Sequence, residues 1–157
     1  EWGMPGGHQE QLAQMVGDWT AEMTFFDPAG GEPMLGTGTA KVETILDGRF
    51  IREDFRMEWE GMPFQGMNLI GYDNFQQEFQ SLWIDNVSSG MVLTTGGGDL
   101  DGLQLHGKMV DFTSPAGRAI RSTIEIISVD EHVMRMWEEQ PDGSEKQTME
   151  VKYTRAS

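Results

Sequence analysis

One carboxylate sits in an otherwise apolar row. Between residues 49 and 59, Ile51, Phe55, Met57 and Trp59 share one parity, and Glu53 falls on it with them. A second acid, Asp85, shares a face with Phe79 and Trp83 in the stretch 77 to 85. Two carboxylates turned into an apolar interior suit acid and base work, because burial can push their pKa values apart. They suit equally a pocket in which Glu53, Asp85 and Tyr72 orient the polar end of an apolar guest. Met57, Met67 and Met109, drawn from 12 methionines, then supply a deformable lining beside Trp59 and Trp83. The bland alternatives are simple core filling by the methionines and a buried polar network by the acids.

Other chemistries lack an anchor. There is no cysteine, which excludes disulfides, thiolate metal sites and cysteine nucleophiles. His8, His106 and His132 are never paired at metal-ligand spacing, so no metal or cofactor is expected. Asp99-Leu100-Asp101-Gly102 has Val110 where a calcium loop needs its glutamate, and reads as a turn. Gly36-x-Gly38 and Gly96-Gly97-Gly98 lack the Lys-Ser/Thr and helix of a phosphate cradle. No Gly-x-Ser-x-Gly elbow is present for acyl transfer.

Such side chains need a frame, and 157 residues supply one domain, spanning 1–157. Net charge is −15, from 26 acidic against 11 basic residues, so nucleic acid and anionic membranes are poor partners. No apolar run exceeds three residues, too short for a membrane span. The chain starts at Glu1 with no signal-like stretch, which leaves both a cytoplasmic and an exported mature form open.

Leu12, Met15, Val16 and Trp19 recur at helical spacing in 9–19 and predict a short amphipathic helix with Leu12, Met15 and Val16 buried. After Trp19 the pattern is extended, with strands near 19–26, 34–46, 49–59, 63–71, 77–85, 90–95, 103–111, 118–128, 132–140 and 145–154. Asp47-Gly48 and Asp142-Gly143 suit hairpin turns, and Ser114 to Gly117 reads as a further turn. Gaps this short leave no room for crossover helices, so neighbours pair antiparallel as a meander. Closing it removes two bare edges. The expected fold is therefore all-β: an antiparallel meander of about ten strands closed into a barrel, one end plugged by the short helix.

The helix leading into Gly17-Asp18-Trp19, with Arg155 on the inner face of the last strand, resembles the calycins, the lipocalin and fatty-acid-binding superfamily. That resemblance implies that Arg155 stacks on Trp19 and closes the barrel bottom. A second resemblance spans nearly the whole chain. Pro5-Gly6-x-His8, Gly17-x-Trp19, Leu46-x-Gly48-Arg49-Phe50, Met62-Pro63-Phe64-x-Gly66, Gly71-Tyr72-Asp73-Asn74, Trp83-Ile84-Asp85 and Tyr153-Thr154-Arg155 are similar to the bacterial domain-of-unknown-function family 1579. That family has no established activity. Its members often carry an export signal, which implies a periplasmic or secreted protein, and many carry an acid where this chain has Arg135.

Three functions remain in play: a barrel that binds a small apolar or amphipathic molecule, an enzyme built on Glu53 and Asp85, and a solid barrel acting as a protein-interaction module. Oligomeric state is left open by the sequence.

Overall fold

Alternating side chains make each extended segment one-sided, and the one-sided strands curl around their apolar faces. The computed structural model describes residues 2–156. Helix α1 (Gly7–Ala13) precedes ten strands: β1 (Gly17–Phe25), β2 (Met34–Ile45), β3 (Phe50–Trp59), β4 (Met62–Asp73), β5 (Glu78–Asp85), β6 (Val92–Gly96), β7 (Gln104–Asp111), β8 (Ser114–Ser128), β9 (Glu131–Glu139) and β10 (Glu145–Arg155). All neighbours pair antiparallel, and β1 pairs with both β2 and β10, closing the barrel. Among the described residues, no helix is long and apolar enough to cross a membrane.

Three sequence expectations are corrected. Ser114 to Gly117 opens β8 instead of forming a turn; the turn is Phe112-Thr113, held by the Asp111 carboxylate, which accepts hydrogen bonds from the amides of Thr113 and Ser114. The helix ends at Ala13, earlier than its apolar stripe suggested, because Trp19 belongs to β1 and the chain must unwind to enter it. Val16 consequently turns outward and is exposed, while Leu12 and Met15 are buried.

The helix plugs one end because its polar side chains are tied to the barrel. Gln9 accepts from its own N-cap, Gly6, and donates to the Tyr72 carbonyl and to Asn74 Oδ1. Gln11 Oε1 accepts from the amide of Leu100 in the β6–β7 loop. A helix of 7 residues would not persist alone, so these ties and the burial of Leu12 hold it. Below the plug the core is solid: Phe79, Leu12, Leu103 and Ile51 are each 2% exposed or less.

Arg155 seals the same end. Its guanidinium lies 4.3 Å from the Trp19 ring centroid and donates to the carbonyls of Gln14, Val16 and Val129 and to Asp130. The Trp19 indole in turn donates to the Met15 carbonyl at 2.9 Å. This is the closure that the calycin resemblance implied, and it also caps the carbonyls that follow the helix.

Candidate functional site

The inner rows follow from the register. Val42, Glu53, Asn68 and Trp83 lie side by side across β2, β3, β4 and β5, and Ala40, Phe55, Gly66 and Asp85 form the next row toward the open end. Met57 and Phe64 follow above. On the far wall, Ser122, Met136 and Met149 share a row, as do Ile124, Met134 and Val151. His132 and Tyr153 pair nearer the plug.

Of the residues singled out from the sequence, Glu53, Met57, Trp59, Trp83, Asp85 and Met109 face inward. Met67 does not. It lies opposite Asp54 and Ile84 on the outer row of β4. Both parities of this strand carry apolar residues, and the inner set is Phe64, Gly66, Asn68, Ile70 and Tyr72, in which polar Asn68 is satisfied by the Ser81 hydroxyl at 2.8 Å. Tyr72 faces inward but sits under the plug, its ring stacked on His8 with centroids 3.8 Å apart. It packs edge-on to Phe79 and belongs to the seal.

Glu53 and Asp85 are not brought together as an acid–base pair. Asp85 is two strands and one row from Glu53, and its carboxylate is occupied by the Trp83 indole N–H at 2.8 Å and the Val87 amide at 3.0 Å. Glu53 is the opposite case. Its Oε1 is closed off from solvent and has no hydrogen-bond partner. Burial, reinforced by nearby Asp54, raises its pKa from 4.5 to about 7, although the Tyr153 hydroxyl offsets part of this. Burial and the neighbouring carboxyl raise Tyr153 as well.

Sequence reasoning missed two features. His132 is buried against Trp19 edge-on at 4.5 Å and stacks on Tyr153 at 4.7 Å. Burial, with Arg155 nearby, lowers its pKa from 6.5 to about 4, so it is neutral. Its shared parity with Met134 and Met136 was the available signal. The second is Arg118, an inner residue near the open end that pairs with Glu138 at 2.7 Å and Asp111 at 2.9 Å and reaches Met109 Sδ at 3.2 Å. Arg135 is on the outer wall between Glu125 and Glu150, and His106 is also outside.

Aromatic packing shapes the upper interior. Trp83 stacks on Phe64 at 6.5 Å, Phe55 meets both edge-on, and Trp59 meets Phe25 at 5.0 Å. Trp83 is seated over Gly66, where any Cβ would run into its indole. Gly66→Ala is therefore expected to displace the indole, break its bond to Asp85 and cost about 2 kcal/mol, the scale of an overpacked core. Urea unfolding and tryptophan emission would read both effects; an unshifted emission would mean that Trp83 is not held there.

Among the described residues, no cluster of His, Asp and Glu suits a metal ion. Two depressions lie elsewhere: a cleft of about 250 Å³ beside the plug, lined by Met15, Trp19 and His132 among others, and an outer groove of about 470 Å³ over Phe50, Leu69, Leu82 and Leu93. Neither includes Glu53.

The family described as Protein of unknown function (DUF1579) matches residues 4–155. The chain belongs to this family. No curated protein matches the sequence significantly. Among solved structures, this DUF1579 barrel is similar to Rv2717c from M. tuberculosis, with a TM-score of 0.68 and 11% identity over 98% of this chain and 100% of that one. It is similar too to the S-type phycobiliprotein lyase CPES from Guillardia theta, with a TM-score of 0.62 and 12% identity over 98% and 99% of the two chains. At such identity the likeness is one of fold, and it supports the calycin-like barrel.

Proposed function

We propose that this DUF1579 protein binds a small apolar or amphipathic molecule in the upper half of its barrel, with Glu53 at the inner end of the site. One observation carries the reading: side chains that point inward stay half-buried there. Trp59, Phe64, Trp83, Met134 and Met149 are all only partly covered, whereas Leu12, Phe79, Leu103 and Leu105 nearer the plug are fully covered and, among the described core residues there, only Tyr72 and Ile126, at the rim of the plug, keep some accessible surface. An apolar lining left with accessible surface favours a guest that covers it. Met57, Met109, Met134 and Met149 can adjust to guests of differing shape. A lyase that acts on phycobiliproteins has a barrel of this kind, which fits a fold able to hold a small guest.

A neutral fluorescent dye, Nile red, is expected to bind with one-to-one stoichiometry and a blue-shifted emission. Met57→Trp puts a rigid ring into the same space and should weaken dye binding by about tenfold or more, with the circular dichroism unchanged. Equal affinity in the two proteins would place the dye outside the barrel.

A further inference from the structure

We infer that the guest is a lipophilic organic cation, an apolar body carrying a protonated amine, and that the Glu53 carboxylate receives its N–H groups. This rests on the binding reading above and adds the chemical class.

Four observations lead there. Glu53 Oε1 has no donor and no contact with water, an arrangement that native interiors rarely leave unfilled, while Glu53 as a residue is only partly buried. Among the described residues, no cation within the barrel is free to supply one. Arg118 is taken by Glu138 and Asp111, Arg155 by Asp130 and three carbonyls, and His132 stays neutral. Arg52 and Arg56, on the same strand as Glu53, have the opposite parity and face outward. The walls above are the faces and edges of Phe55, Phe64, Trp59 and Trp83, surfaces that attract a cation as well as an alkyl chain. At the open end, Asp85, Asp111 and Glu138 outnumber Arg118, and the chain's charge of −15 draws cations toward that mouth while repelling fatty carboxylates.

The groups that face Glu53 set its response to pH. Tyr153 approaches from β10 with neutral His132 behind it on β9, Asn68 and Ser81 lie across β4 and β5, and Asp54 is adjacent on β3 but turned outward toward Arg52. An amine remains protonated up to about pH 10, so the ion pair strengthens as Glu53 loses its proton near pH 7.

The test is displacement of Nile red from the full chain by decylamine, decanol and decanoate, which share one chain length. At pH 8 the amine is expected to compete about tenfold or more better than the alcohol, with decanoate weakest. In Glu53→Gln this amine preference should fall to within about threefold. Decylamine affinity for the unaltered protein should rise between pH 5.5 and 8, and this profile decides the matter if the variant does not fold. Equal competition by all three compounds, preference for decanoate, an amine preference that survives in Glu53→Gln, or a flat pH profile would each overturn the cation assignment while leaving barrel binding intact. If Nile red itself does not bind, the binding reading falls and the assignment with it.

Discussion

Arg155→Ala is expected to destabilise the protein by about 2 kcal/mol, because it removes a cation–π contact with the buried Trp19 ring and three hydrogen bonds to backbone carbonyls. The Gln14, Val16 and Val129 carbonyls lose their partner together, and Trp19 loses the guanidinium that covers it. The Asp130 contact adds little, since that carboxylate is largely exposed. Lysine should recover less than half of the loss, as a single ammonium cannot lie flat on the indole and reach all three carbonyls. Urea denaturation measures the effect, and hydrogen exchange should show α1 losing protection first. A cost below about 0.5 kcal/mol, ordinary for a surface site, would mean that the seal contributes nothing to the fold.

Glu53→Gln is expected to stabilise the folded state at pH 8 by about 2–3 kcal/mol and to leave it nearly unchanged at pH 4.5. Below pH 4.5 the carboxyl is protonated in both states and has no effect on stability. As pH rises through 4.5 the unfolded chain releases this proton, while the folded barrel keeps it to about 7, so folding becomes progressively less favourable across that window. His132 works in the opposite sense. Its folded value is depressed from 6.5 to about 4, so its contribution is present above pH 6.5 and is lost as pH falls toward 4. Between pH 4.5 and 6.5 the two slopes oppose one another in the unaltered protein. The Gln variant exposes the histidine alone, and its stability should climb over that range relative to the unaltered chain. Denaturation at pH 4.5, 6.5 and 8 on both proteins tests this, and equal stability at pH 8 would show that Glu53 is hydrated and ionised in the fold.

Much of the barrel could be read from the chain because strand alternation and turn chemistry are local. The stretch 49 to 59 has only one parity rich in large apolar residues, so its inner face was unambiguous and Glu53 was placed on it. In 63 to 71 the rule gave no answer, since Met67 and Leu69 compete with Phe64 and Ile70, and the face is settled by pairing with β3 and β5. Val16 misled for a related reason: helical spacing continued past the point where Trp19 pulls the chain into a strand. Gly117 looked like a turn, yet its place inside β8 is where the Lys108 side chain crosses it, a contact between distant residues. Arg118 and His132 were overlooked as inner residues because polarity argues for solvent unless the partners are known. Those partners, Glu138, Asp111, Trp19 and Tyr153, come from other strands.

The 12 methionines provide the most direct test of whether the barrel interior is the binding site. With ¹³C-methyl methionine labelling, and resonances assigned through single Met→Leu variants, Nile red can be titrated into the protein and each methyl followed. Met57, Met134 and Met149 face inward, whereas Met4, Met62 and Met91 are exposed, Met67 lies on the outer wall and Met15 borders the cleft beside the plug. The account predicts that the methyls of Met57, Met134 and Met149 shift together and saturate at one equivalent, with Met4, Met67 and Met15 unmoved. Shifts confined to Met15, Met67 or the exposed methionines, with the inner three unchanged, would contradict it.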